Sequence, residues 1–254
     1  MSKNKVLSLM LCSSMLIRFA ASAAAQEEIL IVAEEWPPFT STKLYKQGPL
    51  VDIIEHVFKD SAYTVKIEFY PWARALAMVQ KGEADCIIGA FKTIERMQYL
   101  EYPEPLMSQE TALFQLSKND FAFSGLQDLS DRKIARVHWA SNSDAFDRLN
   151  GPTIIDLVNL TQCIRMLLAE RVDYIAGPTM NVEYLIKTCF PDSVNLITKT
   201  DPPLAQQNMY CAISKKSKSA AGIAREINAK IAAFKQNGVY DKIQHEHIEL
   251  QMLD

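Results

Sequence analysis

The stretch from Tyr70 to Leu106, YPWARALAMVQKGEADCIIGAFKTIERMQYLEYPEPL, packs a helix, a turn, a buried strand and a charged loop into one short span. Pro71 suits the first position of a helix, where its missing N–H costs nothing. Trp72, Ala75, Leu76 and Val79 fall at i, i+3, i+4 and i+7 and give that helix one apolar face. Gly82 ends it. CIIGAF, closing at Phe91, is a short apolar run between turn residues, the pattern of a strand buried on both faces. The loop that follows carries Thr93 and Arg96, so a permanent cation stands at a buried strand's C-terminal end. In open α/β sheets ligands bind at that end.

The same alternation runs through the chain. EILIVAEEW, TVKIEFY and TALFQLSK read as strands, with a helix at VDIIEHVFKD. Farther on, KIARVHW, TIIDLV, VDYIAG and VNLIT read as strands, separated by helices at SNSDAFDRLN, NLTQCIRMLLAER and TMNVEYLIKTCF. QQNMYCAISKK returns to the first unit, and a long helix follows, capped by Ser219 and ended by Gly238. The pattern predicts two α/β lobes joined by two crossing segments, a hinged clamshell. Lobe 1 is expected at 26–107 and 209–254 and lobe 2 at 111–206, with crossings at 108–110 and 207–208.

The chain begins with Lys3 and Lys5, an apolar run from Val6 and Ala-Ser-Ala-Ala-Ala before Gln26, the pattern of a cleaved export signal at residues 1–25. Its removal takes Lys3, Lys5 and Arg18 but no acidic residue, so a net charge of −3 becomes more negative. No basic stripe is present, which argues against nucleic acid as a partner. No later segment approaches the roughly 18 apolar residues a membrane span needs. The expectation is a released periplasmic monomer. Cys86, Cys163, Cys189 and Cys211 remain after the signal, either as four buried thiols or as disulfides, with Cys86 and Cys211 as neighbours in lobe 1. They show no metal-ligand spacing, and His245 and His247, two apart on a helix, point to different sides.

Gly-Glu-Ala-Asp, an apolar strand, Lys-Thr-x-x-Arg and a Tyr-Pro-x-Pro-Leu exit resemble the periplasmic solute-binding proteins of the amino-acid-binding type, extracellular solute-binding family 3. Glu-Glu-Trp-Pro-Pro-Phe after the first strand, Gly48-Pro-Leu-Val-Asp-Ile-Ile and Asn237-Gly-Val-Tyr-Asp-Lys-Ile extend the likeness over nearly the whole exported chain. The resemblance implies a type II periplasmic-binding-protein clamshell. It would take a small solute, without a cofactor, for an ABC permease, or else for a sensor or chemoreceptor.

The resemblance also assigns roles. Arg96 would grip a carboxylate with its planar donor fork, unless Glu95 or Glu101 occupies it. Trp36, at a stiff extended Pro-Pro exit, would stack on the solute, and Glu34 or Glu35 beside it would face the cleft and receive a cationic group. Trp72 is either core or ligand wall; Arg74, in the first turn of its helix, is a second anion grip or a surface charge. Phe91 and Thr93 flank the cleft at the strand's end. In Trp139-Ala-Ser-Asn-Ser, Ser141 and Ser143 would offer hydroxyls to a carboxylate or cap a helix. One departure stands out: Gly177-Pro178-Thr179 follows VDYIA where related binders carry an Asp for the α-ammonium. Two other readings remain: an acid-handling enzyme with Glu34 or Glu35 as general acid, or an interaction module that has lost its ligand.

Overall fold

The computed structural model describes residues 26–119, 121 and 123–253, with only the backbone of 248–253; the export signal expected at residues 1–25 lies outside them. In chain order the elements are β1 (Glu27–Ala33), α1 (Pro49–Phe58), β2 (Tyr63–Phe69), α2 (Trp72–Lys81), β3 (Cys86–Phe91), β4 (Leu100–Glu101), β5 (Met107–Leu116), β6 (Lys133–Val137), α3 (Asp144–Asp147), β7 (Thr153–Leu157), α4 (Leu160–Leu168), β8 (Tyr174–Pro178), α5 (Thr179–Cys189), β9 (Ile197–Lys199), β10 (Ala205–Ser214), α6 (Ala220–Asn237) and α7 (Val239–Leu253). Among the described residues no helix is long and apolar enough to cross a membrane.

The strands run in the order β2-β1-β3-β10-β5-β8-β6-β7. β2, β1 and β3 are mutually parallel, as are β8, β6 and β7. Between these parallel sets lie β10 and β5, antiparallel to each other over Met107–Thr111 against Ala205–Met209. Strand alternation sends Ile31, Cys86, Ile88, Cys211 and Ile213 to one face, under α1 and α6, and Val32, Ile87 and Ala212 to the other, against Ala75 and Val79 of α2. A separate apolar cluster joins Ala135 and Ile175 to Ile164, Leu167 and Val182 of α4 and α5. β3 and β8 lie inside the sheet and are buried along their whole length, which is why they read as unbroken apolar runs. The result is a two-lobed α/β clamshell.

Local departures from the sequence reading have identifiable causes. α2 starts at Trp72, with Pro71 as its N-cap, and Gly82 closes it in the left-handed region at φ 82. β1 stops at Ala33 and the Pro-Pro segment is not an extended exit. Trp36 bridges to Thr40, whose carbonyl accepts from Trp36 N at 2.7 Å, so the chain folds back there in a tight turn. Only Asp144–Asp147 of SNSDAFDRLN is helical, because the Asn142 N–H and Ser141 hydroxyl are drawn to Asp147 instead of continuing a helix. Ser219 precedes α6 without a capping bond from its side chain, since its hydroxyl donates to Glu27 across the sheet edge. Cys86, Cys163 and Cys211 are buried free thiols, but Cys189, at the exposed end of α5, is not buried. Burial and a hydrogen bond with Cys211 push the Cys86 thiol well up.

Candidate functional site

The parallel strands of the two sets point their C-terminal ends at one another, and a cavity of about 160 Å³ lies between them. At roughly 10–15 Å³ per water it has room for on the order of ten waters, the scale of a small metabolite. The loop after β1 and the ends of β3, β6 and β8 all reach its walls, as does the first turn of α4. Of the residues predicted for a site, Glu34, Glu35, Trp36, Trp72, Phe91, Arg96 and Ser141 line it; Arg74 and Thr93 do not.

Arg96 is 6 % exposed and its guanidinium faces protein on several sides. Nη1 donates to the carbonyl of Phe91 at 3.1 Å and Nη2 to that of Trp139 at 2.8 Å, with Trp72's ring 5.2 Å below. Thr93 Oγ1 accepts from Arg96 N at 3.2 Å, so Thr93 shapes the loop that delivers the arginine. No carboxylate of the described residues forms an ion pair with it; Glu95 and Asp147 act from farther off, and burial lowers its pKa. A guanidinium has five N–H donors, and only two are committed here. Trp139 is held at φ 65, a left-handed conformation that is uncommon outside glycine, and presents its carbonyl to the cation while its own ring stays 61 % exposed.

The two glutamates part company. Glu35 is exposed, and its Oε1 accepts from Thr42 Oγ1 at 2.6 Å and Thr42 N at 3.2 Å, which helps keep its carboxyl low despite some burial. Glu34 is partly buried and its side chain has no hydrogen-bond partner among the described residues. Burial pushes its carboxyl up to about 7.

Trp36 is wedged between Phe39 at 4.8 Å and Phe91 at 5.8 Å. Its ring lies on Gly89, where a Cβ would come within 3.1 Å of Cζ3. Trp72 both packs on the α2 cluster and walls the cavity, so both readings of it hold. Its Nε1 and Asn142 Nδ2 are shielded from solvent and have no hydrogen-bond partner among the described residues. Ser141 is on the wall, but its hydroxyl donates to Asp147 Oδ2 at 3.0 Å, and Ser143 caps α3 by accepting from Phe146 N at 3.1 Å. Arg74 is exposed and stacks on Tyr70, 4.4 Å from its ring, as a surface charge.

Gly177 and Pro178 line the second lobe's wall without a charged group, and Glu183 is exposed elsewhere. Asn142, Asn159 and Asn181 also line it and were not singled out from sequence. Asn159 could have been found, since Asn-Leu-Thr-Gln is an N-cap pattern and its Oδ1 accepts from Gln162 N at 2.9 Å. Asn181 offers a fainter signal, an amide inside a helix that its propensity does not favour.

Residues 29–249 match the family described as bacterial extracellular solute-binding proteins, family 3. No curated protein matches the sequence. Solved structures of similar fold include a mutant of ArgBP from T. maritima, with a TM-score of 0.73 at 17 % identity, covering 87 % of this chain and 95 % of that one. AbpA from Streptococcus pneumoniae, bound to L-arginine, is similar at a TM-score of 0.72 and 18 % identity, covering 88 % of this chain and 95 % of its own. A histidine kinase sensor domain with similarity to periplasmic binding proteins reaches 0.73 at 17 % identity, over 87 % of this chain and 96 % of that one. At these identities the likeness is one of fold.

Proposed function

The chain belongs to this family of extracellular solute-binding proteins, and we propose that it captures a small carboxylate-bearing solute between its lobes. The observation that carries this reading is Arg96, a buried cation without a carboxylate partner among the described residues. A buried charge left unpaired is costly, and an anionic ligand offsets that cost. Trp36 and Phe91 supply the cavity's apolar surface. Glu34, not Glu35, is the group that would meet an ammonium or another donor at the solute's far end.

In this reading the chain is exported by its leader at residues 1–25. The lobes comprise 26–107 with 209–254, and 111–206, hinged where β5 and β10 cross at 108–110 and 207–208. The closed form then delivers the solute to an ABC permease; a membrane sensor is the second reading, favoured by the likeness to a kinase sensor domain. Glu34 is read as a binding group because the other carboxylate lining the cavity, Glu35, is engaged by Thr42.

The experiment is thermal unfolding of the exported form, stripped of co-purified small molecules, against amino acids, their deaminated analogues, the neutral amides of those acids and dipeptides. A ligand at 100 times its dissociation constant stabilises by about 2.7 kcal/mol. Stabilisation by neutral amides in preference to acids would sink the carboxylate assignment.

A further inference from the structure

Asn181 stands in the first turn of α5, on the opposite wall of the cavity from the loop after β1, and is 2 % exposed. Both ends of its amide are taken by that loop. Oδ1 accepts from the indole Nε1 of Trp36 at 3.1 Å, and Nδ2 donates to the carbonyl oxygen of Pro37. The amide's orientation follows from its partners, since an indole N–H only donates and a prolyl carbonyl only accepts. Arg96 Nη2 to the Trp139 carbonyl forms a second bridge between the lobes. Every partner in these bridges is a protein atom, so the bonds require that the cleft be shut and nothing else. Nor is Asn181 explained by α5 itself, because asparagine is a poor residue inside a helix.

We infer that Asn181 is a closure latch: it ties the loop after β1 to α5 and stabilises the closed conformer whichever solute is bound. The inference rests on reading the cavity as the solute site, but the latch itself is made of protein atoms alone. A bond between lobes adds the same free energy to the closed state for every ligand, so it scales all affinities by one factor. A group that touches the solute would instead change the ranking of ligands.

The test uses Asn181→Ala and the near-isosteric Asn181→Asp, which keeps an acceptor for Trp36 but sets a carboxylate against the Pro37 carbonyl. Small-angle scattering of the ligand-free proteins reads lobe opening. Calorimetry and stopped-flow measurements follow with the two acids that stabilise the wild type most in the melting panel. The expected result is a larger ligand-free radius of gyration in both variants. Both dissociation constants should weaken by about the same tenfold factor, the order expected for losing two neutral hydrogen bonds, and mostly through faster release. Unchanged ligand-free scattering in both variants overturns the latch, and so does a changed ranking of the two acids, which would make Asn181 a solute contact. If no acid stabilises the wild type, the solute reading fails, and the ligand-free scattering still decides the latch.

Discussion

Arg96 and Trp139 meet across the cleft, the guanidinium Nη2 lying 2.8 Å from the tryptophan's carbonyl oxygen. The arginine comes from the loop after β3 and the carbonyl from the turn after β6, so one buried cation is held by both lobes at once. A carbonyl dipole satisfies a donor but does not neutralise a charge. On the proposed reading the remaining charge is what an anionic solute answers, and this yields the first prediction.

Arg96→Ala should weaken carboxylate binding by about 100-fold or more, from the loss of a charge-assisted pair worth roughly 3 kcal/mol. The ligand-free protein should melt at the same temperature or higher, because an unpaired buried cation has been removed. Arg96→Lys should restore only part of the affinity, since an ammonium cannot present a planar fork. Calorimetry and melting of the ligand-free variants check both statements; a large loss of ligand-free stability in Arg96→Ala would make the arginine structural.

Glu34 should make stability depend on pH. Its carboxyl is raised from 4.5 to about 7 in the folded chain, so the folded state holds more protons than the unfolded state between those values. Stability from this group is therefore greatest below about 4.5 and falls as pH climbs to about 7. Melting temperatures of the ligand-free protein and of Glu34→Gln across that window check the claim. The variant should show a flatter profile.

The same carboxyl should distinguish two classes of solute. An ammonium near Glu34 favours its charged form, so a zwitterion should expel the proton and bind more tightly as pH rises towards about 7. An acid with a neutral far end favours the protonated form and should bind more weakly over the same range. Calorimetry in buffers of different ionisation enthalpy reads the direction of proton transfer, and Glu34→Gln should abolish it in either case.

Much of this was legible in the sequence because it depends on periodicity. The apolar runs at β3 and β8 and the i, i+3, i+4 face of α2 leave little choice of element. Arg96 was legible too, as a cation at a strand's C-terminal end. What was not legible depends on partners distant in sequence. Glu34 and Glu35 differ in role because Thr42 captures one of them. Ser141 looks like a free hydroxyl until Asp147 accepts its hydrogen bond. Asn181 gains meaning only from Trp36, which is 145 residues away. Periodicity is blind to such pairings.

Cys86, Cys163, Cys189 and Cys211 should divide by accessibility. Cys86, Cys163 and Cys211 are buried and Cys189 is exposed; burial also pushes Cys163 up to about 12, leaving almost no thiolate at neutral pH. A chromogenic disulfide reagent should titrate one thiol quickly in the native exported protein and four after unfolding. Three or more fast native thiols would contradict the packing around β3 and β10.

Gly89 joins the backbone of β3 to the position of Trp36. It sits at φ 84, opposite a break in the β3–β10 register between Tyr210 and Cys211. An extra residue in one strand at such a bulge re-aims its neighbours, and glycine is the residue that adopts a positive φ without strain. A Cβ there would also press within 3.1 and 3.2 Å of the Trp36 ring. Gly89→Ala should therefore cost stability by about 1–2 kcal/mol from the backbone alone. It should also displace Trp36 from Phe91 and from Asn181 Oδ1, weakening solute binding beyond what the loss of stability explains. Melting, calorimetry and tryptophan fluorescence separate the two effects. A variant that loses stability but keeps its affinity and its emission maximum would show that Trp36's position does not depend on the bulge.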